Sequence, residues 1–139
     1  MRRVLPLLTI SAIAVVLIAC SGGDTSRTIS VRMFDDLRYD PDQFDVNVGQ
    51  TVSFEVRNSG QVAHEFFIGT LDEHRDHAEE MRQSDHAAEA HVNPSGVTLD
   101  PGESGSLTYT FAEPGEMLVG CHEPGHYEAG MVAPITVHP

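Results

Sequence analysis

Cys121, His126 and Met131 stand within eleven residues, in the string Cys121-His122-Glu123-Pro124-Gly125-His126-Tyr127-Glu128-Ala129-Gly130-Met131. The order is C-x4-H-x4-M: a soft thiolate, an imidazole and a thioether. Two His and one Cys with a weak axial Met form the ligand set of electron-transfer copper. Pro124-Gly125 and Ala129-Gly130 supply turns that could bring three donors from one loop to one ion. The second imidazole must come from elsewhere.

Strand parity nominates it. Six segments alternate apolar and polar residues and are bounded by Gly, Pro, Asn or Asp: 28–34, 51–57, 62–68, 107–111, 117–121 and 131–137. In the third, His64 shares a face with Val62, Phe66 and Ile68. Cys121 shares one with Met117 and Val119, and Met131 with Ala133, Ile135 and Val137. Three metal-binding side chains therefore point into an apolar interior. A lone His on such a face is more often a hydrogen-bonded core residue. An inward, unpaired Cys and an inward Met reverse that reading. Asp100-Pro101-Gly102 and Glu113-Pro114-Gly115 mark turns. The expected fold is all-β, a Greek-key β-sandwich or barrel.

One segment departs from the strand pattern. Residues 71–90 are rich in Glu, Ala, His and Arg and lack Gly and Pro, which predicts a helix inserted between strands, in an excursion of about 71–95. Leu71, His74, Ala78 and Met81 follow helical spacing and are expected to form its packed stripe. His74, His77, His86 and His91 fall in or just after this helix, and His77 and Met81 share a side at i, i+4. These residues could take a second copper ion. The alternative, and the preferred reading, is a solvated helix that happens to carry histidines. His122 should face away from the metal, at the surface, and His138 is read as a tail residue.

Length and charge bound the function. The chain has 139 residues, consistent with one domain, and 40% hydrophobic residues, enough for a core. Lys+Arg is 8 against Asp+Glu 21, a formal charge of −13, and every cation is an arginine. This nearly excludes nucleic acid as a partner, because phosphate binding needs clustered cations. Phosphate-loop and G-x-S-x-G patterns are absent. A basic partner or a saline habitat would each suit the acidity.

The N-terminus reads as an address. Arg2 and Arg3 precede an apolar stretch, 4–19, with the layout of a secretory signal. Leu17-Ile18-Ala19-Cys20 resembles the lipobox of bacterial lipoproteins, which implies a signal peptide over 1–19 and lipid on Cys20. Residues 20–27 then form a tether and 28–139 the domain. Export would place Cys121 in an oxidising compartment as the one thiol left. A buried inert cysteine and a Cys20–Cys121 disulfide are the alternatives; the donors around Cys121 argue against both.

Residues 58–66, Asn58-Ser59-Gly60-Gln61-Val62-Ala63-His64-Glu65-Phe66, together with 121–131, resemble the cupredoxins, the small blue copper proteins. The resemblance spans most of 28–137 and implies one type 1 copper ion held by His64, Cys121, His126 and Met131. Glu65 departs from the pattern: several cupredoxins carry Asn there, tying the ligand loops together. This leaves the hydrogen bonding around the site, and its reduction potential, open. His64 to Thr70 followed by an acidic, His-bearing helix is similar to the periplasmic cupredoxins linked to bacterial copper tolerance. The resemblance implies single-electron transfer or copper handling, with copper sequestration lacking a dedicated electron-transfer partner as the alternative, and not catalysis. A redox protein with a basic docking patch, a monomeric state, and a lipid-anchored location on the periplasmic or outer side of a bacterial membrane are the accompanying expectations.

Overall fold

The computed structural model describes residues 26–83 and 93–139. The signal segment, Cys20, most of the tether, and His86 and His91 lie outside the described residues. Among the described residues, nine strands and one helix follow in order: β1 (Arg27–Phe34), β2 (Arg38–Asp40), β3 (Phe44–Asn47), β4 (Thr51–Asn58), β5 (His64–Gly69), α1 (Leu71–Gln83), β6 (Gly96–Leu99), β7 (Ser104–Thr110), β8 (Gly115–Gly120) and β9 (Val132–His138). One sheet runs β2-β1-β4-β7 and the other β3-β9-β8-β5-β6. β1 pairs β4, and β3 pairs β9, in parallel; the other pairings are antiparallel.

The sheets face each other as a sandwich. Val31, Met33, Val52, Phe54, Val56 and Leu107 project from one sheet, and Phe44, Val46, Phe66, Ile68, Val119 and Ile135 from the other. Each such burial stabilises by about 1.5–3 kcal/mol. Phe66 sits at the centre, edge-on to Tyr39 at 5.8 Å and to Phe44 at 6.2 Å. This packing fixes β5, and with it His64 two residues away.

The six expected strands are present. β2, β3 and β6 were not expected; at three, four and four residues they are too short to show a period. Val62 was expected inside but is 47% exposed, because it lies in the turn before β5. All six residues of β5 are buried, where alternation was expected. The reason is α1, which covers the outer face of β5 and shields Glu65 and Phe67.

The helix begins on a reciprocal cap: Thr70 N donates to Glu73 Oε2 at 2.6 Å and Glu73 N donates to Thr70 Oγ1 at 3.3 Å. Its packed side differs from the expected stripe. His74 and His77 are buried, Ala78 and Met81 are half-buried, and Leu71 is 52% exposed. The surface beneath the helix is lined by polar and aromatic groups, so imidazoles meet it better than an aliphatic residue would. Among the described residues no helix is long and apolar enough to cross a membrane.

Candidate metal centre

The turn before β5 is shaped by Asn58. Its Nδ2 donates to Val62 O at 2.7 Å and to Leu99 O at 2.9 Å, while its Oδ1 accepts from Gly60 N at 2.9 Å. This delivers His64 to the first position of β5 with no solvent exposure. Its Nε2 lies 3.1 Å from Asp35 Oδ1, and its Nδ1 is buried without a hydrogen-bond partner.

Cys121 follows β8 directly and is fully buried. Its Sγ accepts the Glu65 N–H at 3.3 Å and lies 3.3 Å from His126 Nδ1. Burial pushes the thiol pKa up to about 12, against the opposing pull of the Glu65 and Glu123 amides. A bound metal ion would reverse this by displacing the proton. The His126 pKa is lowered, first by burial and then by the neighbouring His64 ring, so its imidazole is neutral and able to ligate. The loop is tied back on itself: Cys121 N donates to Met131 O at 3.2 Å and Met131 N to His126 O at 3.0 Å. Met131 is fully buried beside them.

The donor atoms of His64, Cys121 and His126 all lie within 4.8 Å of one another, the one such group among the described residues. The orphaned His64 Nδ1 and the unpaired Cys121 fit a metal ion and little else. A thiolate and two imidazoles suit copper, and Met131 is tied through its backbone to both Cys121 and His126. The structure thus brings together the four residues that the sequence nominated.

Residues 27–138 match the family of copper binding proteins described as plastocyanin/azurin. The chain belongs to this family. It is 39% identical over 111 residues to the copper-resistant cuproprotein CopI of Rubrivivax gelatinosus, covering 80% of this chain and 66% of that one. It is 33% identical over 141 residues to CopI of Pseudomonas aeruginosa, covering 82% of this chain and 77% of that one. The chain therefore spans about two thirds to three quarters of the length of these curated relatives. Among solved structures, reduced auracyanin from Roseiflexus castenholzii superposes with a TM-score of 0.68 at 27% identity, covering 83% of this chain and 98% of that one. The protein is a copper-binding cupredoxin, and the family is not catalytic.

A second group of histidines in this cupredoxin was misjudged from sequence. His122 was expected at the surface but is 8% exposed, and its ring stacks on Tyr127 at 4.6 Å. It faces away from the copper site as expected, yet that side is covered by α1. His74 Nε2 faces the Leu118 carbonyl at 3.2 Å and must donate to it, so His74 Nδ1 accepts from His122 Nε2 at 2.9 Å. His77 Nε2 lies 2.8 Å from Glu65 Oε1, and its ring stacks on Phe67 at 4.2 Å. Glu65 Oε2 accepts the His122 N–H at 3.0 Å. Gly120 makes room, since a Cβ there would stand 2.7 Å from Tyr127 and 2.8 Å from His74.

Glu65 thus joins the ligand strand, the ligand loop and the helix, by a carboxylate where several cupredoxins use an amide. The solvated-helix reading fails for His74 and His77. A second metal set of three donors is absent among the described residues, and His86 and His91 lie outside them. His138, read as a tail residue, is instead the last residue of β9, in register with Asn47 and with its exposed ring 2.9 Å from Asp45. The run from His122 to His126 also spells H-E-x-x-H. It lies in turns rather than a helix, and its two imidazoles serve different neighbours.

Proposed function

We propose that this protein is an exported type 1 copper protein of copper tolerance, with His64, Cys121, His126 and Met131 as ligands. The observation that carries the reading is the convergence of three donor atoms within 4.8 Å around a buried, unpartnered His64 nitrogen. The names of the copper-resistant relatives support the physiological assignment. Bound copper would supply a one-electron couple. His64 and Cys121 would hold it away from water. His126 is half-buried, between exposed Gly125 and half-buried Tyr127, and forms the edge through which a redox partner would exchange electrons. A formal charge of −13 favours a partner with a basic docking patch. Export rests on the sequence of residues 1–20, read as a signal peptide over 1–19 and lipid on Cys20 that holds the domain at a membrane outside the cytoplasm.

A Cu(II) titration with optical and paramagnetic-resonance spectra tests the site. One copper per chain with an intense thiolate-to-copper band is expected, and Cys121→Ser should abolish the band. A coloured Cys121→Ser protein would overturn the assignment. Growth of a deletion strain tests the role: sensitivity to added copper supports copper tolerance. A respiratory defect at low copper would instead support the second reading, an electron carrier, which the His126 edge favours.

A further inference from the structure

Asp35 lies in the turn between β1 and β2, far in sequence from the four ligands, yet its carboxylate meets one of them. Oδ1 is 3.1 Å from His64 Nε2. An ionised carboxylate only accepts, so His64 Nε2 must carry the hydrogen and Nδ1 the lone pair. That lone pair is the buried atom left without a partner; with Nε2 committed to Asp35, it is the nitrogen free to join Cys121 and His126.

The carboxylate is itself held. Gln61 N donates to Oδ1 at 2.9 Å and to Oδ2 at 2.8 Å, and Val62 N approaches Oδ1 at 3.4 Å. Gly60 approaches it so closely that a Cβ there would stand 2.0 Å from Oδ1 and 3.1 Å from His64 Nε2, although the Asp35 side chain is 41% exposed. Residue 60 must be glycine for the carboxylate and the imidazole to meet. Amide donors of this kind hold Asp35 in its charged form.

We propose that Asp35 is a positioning residue of the copper centre, fixing the His64 tautomer and favouring Cu(II) over Cu(I) through its negative charge. The inference rests on the ligand assignment above. A metal-bound imidazole that donates its other N–H to a carboxylate becomes a stronger donor, and loss of such a partner costs about 10–100-fold in metal affinity. The extra donor strength and the fixed charge act more on the doubly charged ion. Copper bound here would therefore have a lower reduction potential than with a neutral hydrogen-bond acceptor.

Asp35→Asn keeps the shape and a carbonyl acceptor but removes the charge. It should retain one copper and the visible band, bind Cu(II) about 10–100-fold more weakly, and change Cu(I) binding less. Each tenfold loss of the Cu(II) preference should raise the potential by about 59 mV. Gly60→Ala, which displaces the carboxylate without removing it, should move the potential the same way and serves if Asp35→Asn does not fold. In the copper-free protein, nitrogen NMR should find the His64 proton on Nε2. An unchanged potential in both variants, equal losses of Cu(I) and Cu(II) affinity, or a proton on Nδ1 would each overturn the inference. Failure of the unaltered protein to form a coloured site would instead overturn the ligand assignment.

Discussion

Lowering the pH of the metal-free protein from about 7 to about 4.5 should cost about 2–3 kcal/mol of stability through His122 alone. His122 is 8% exposed, stacked on Tyr127 and bonded to His74. Burial pushes its pKa from 6.5 down to about 4; His74 and His77 add to the shift, while Glu65 and Glu128 oppose it. In the unfolded chain the same ring takes its proton near 6.5. Stability is therefore fully present above that value and falls as the pH drops toward about 4, at up to about 1.4 kcal/mol per pH unit. The His74 pKa is lowered, chiefly by burial, and acts in the same direction. The His77 pKa is raised: burial lowers it, but the Glu65 and Glu80 carboxylates more than offset that. Its contribution is present below the unfolded value and lost as the pH rises through the folded one, so it works against the loss. His122→Phe keeps an aromatic ring and removes the titrating group. Urea melts of both proteins at the two pH values are the assay. The variant should lose about 2–3 kcal/mol less than the parent, roughly 1 M or more in the midpoint difference. The same pH dependence in both would refute the assignment of a neutral buried imidazole.

Met131→Leu should retain copper and raise the reduction potential, because loss of a weak sulfur donor disfavours Cu(II) more than Cu(I); an unchanged potential and spectrum would leave Met131 as packing only. His77→Ala removes one of the donors to Glu65, whose side chain is 4% exposed, and should cost about 3–5 kcal/mol in denaturant melts while the visible copper band persists. Cys20→Ser should release the protein from membranes or leave the precursor unprocessed, as fractionation and mass spectrometry of the N-terminus would show.

The residues of the candidate copper centre were legible because their chemistry is rare and their parity agrees. Unpaired Cys121 and inward His64 and Met131 have few other reasons to share an interior. The strands of six or more residues were legible for a similar reason, since alternation needs several residues to register. What stayed hidden was the second face of β5. Glu65 and Phe67 read as outward, and His122 as a surface residue, because period-2 alternation reports a side and not what lies against it. Only the docking of α1 turns that side into an interior. The helical stripe was misread through the same assumption, that apolar residues alone mark a packed side; here His74 and His77 pack and Leu71 does not. A buried carboxylate held by the His77 imidazole and the His122 backbone N–H leaves no periodic signal. The Asp35 contact was equally silent, since it joins residues 29 positions apart in sequence.

These hidden contacts converge on His64 and Cys121 from two directions. On one side Asp35 grips the His64 ring and the 60–62 turn. On the other, the residue after His64 makes four bonds that share no partner: Glu65 N donates to Cys121 Sγ, Glu65 O accepts from Tyr39 Oη, and its two carboxylate oxygens accept from His122 N and His77 Nε2. The ligand strand, the ligand loop, the core and the helix are thus fastened together through one residue. Under the ligand assignment proposed above, a site held this way would resist relaxing toward the geometry that either copper oxidation state chooses in water, and a change of charge would need little rearrangement. The helix inserted after β5 contributes to that stiffness as a cover, because the Glu65 carboxylate stays ordered and dry only while His74 and His77 are packed over it.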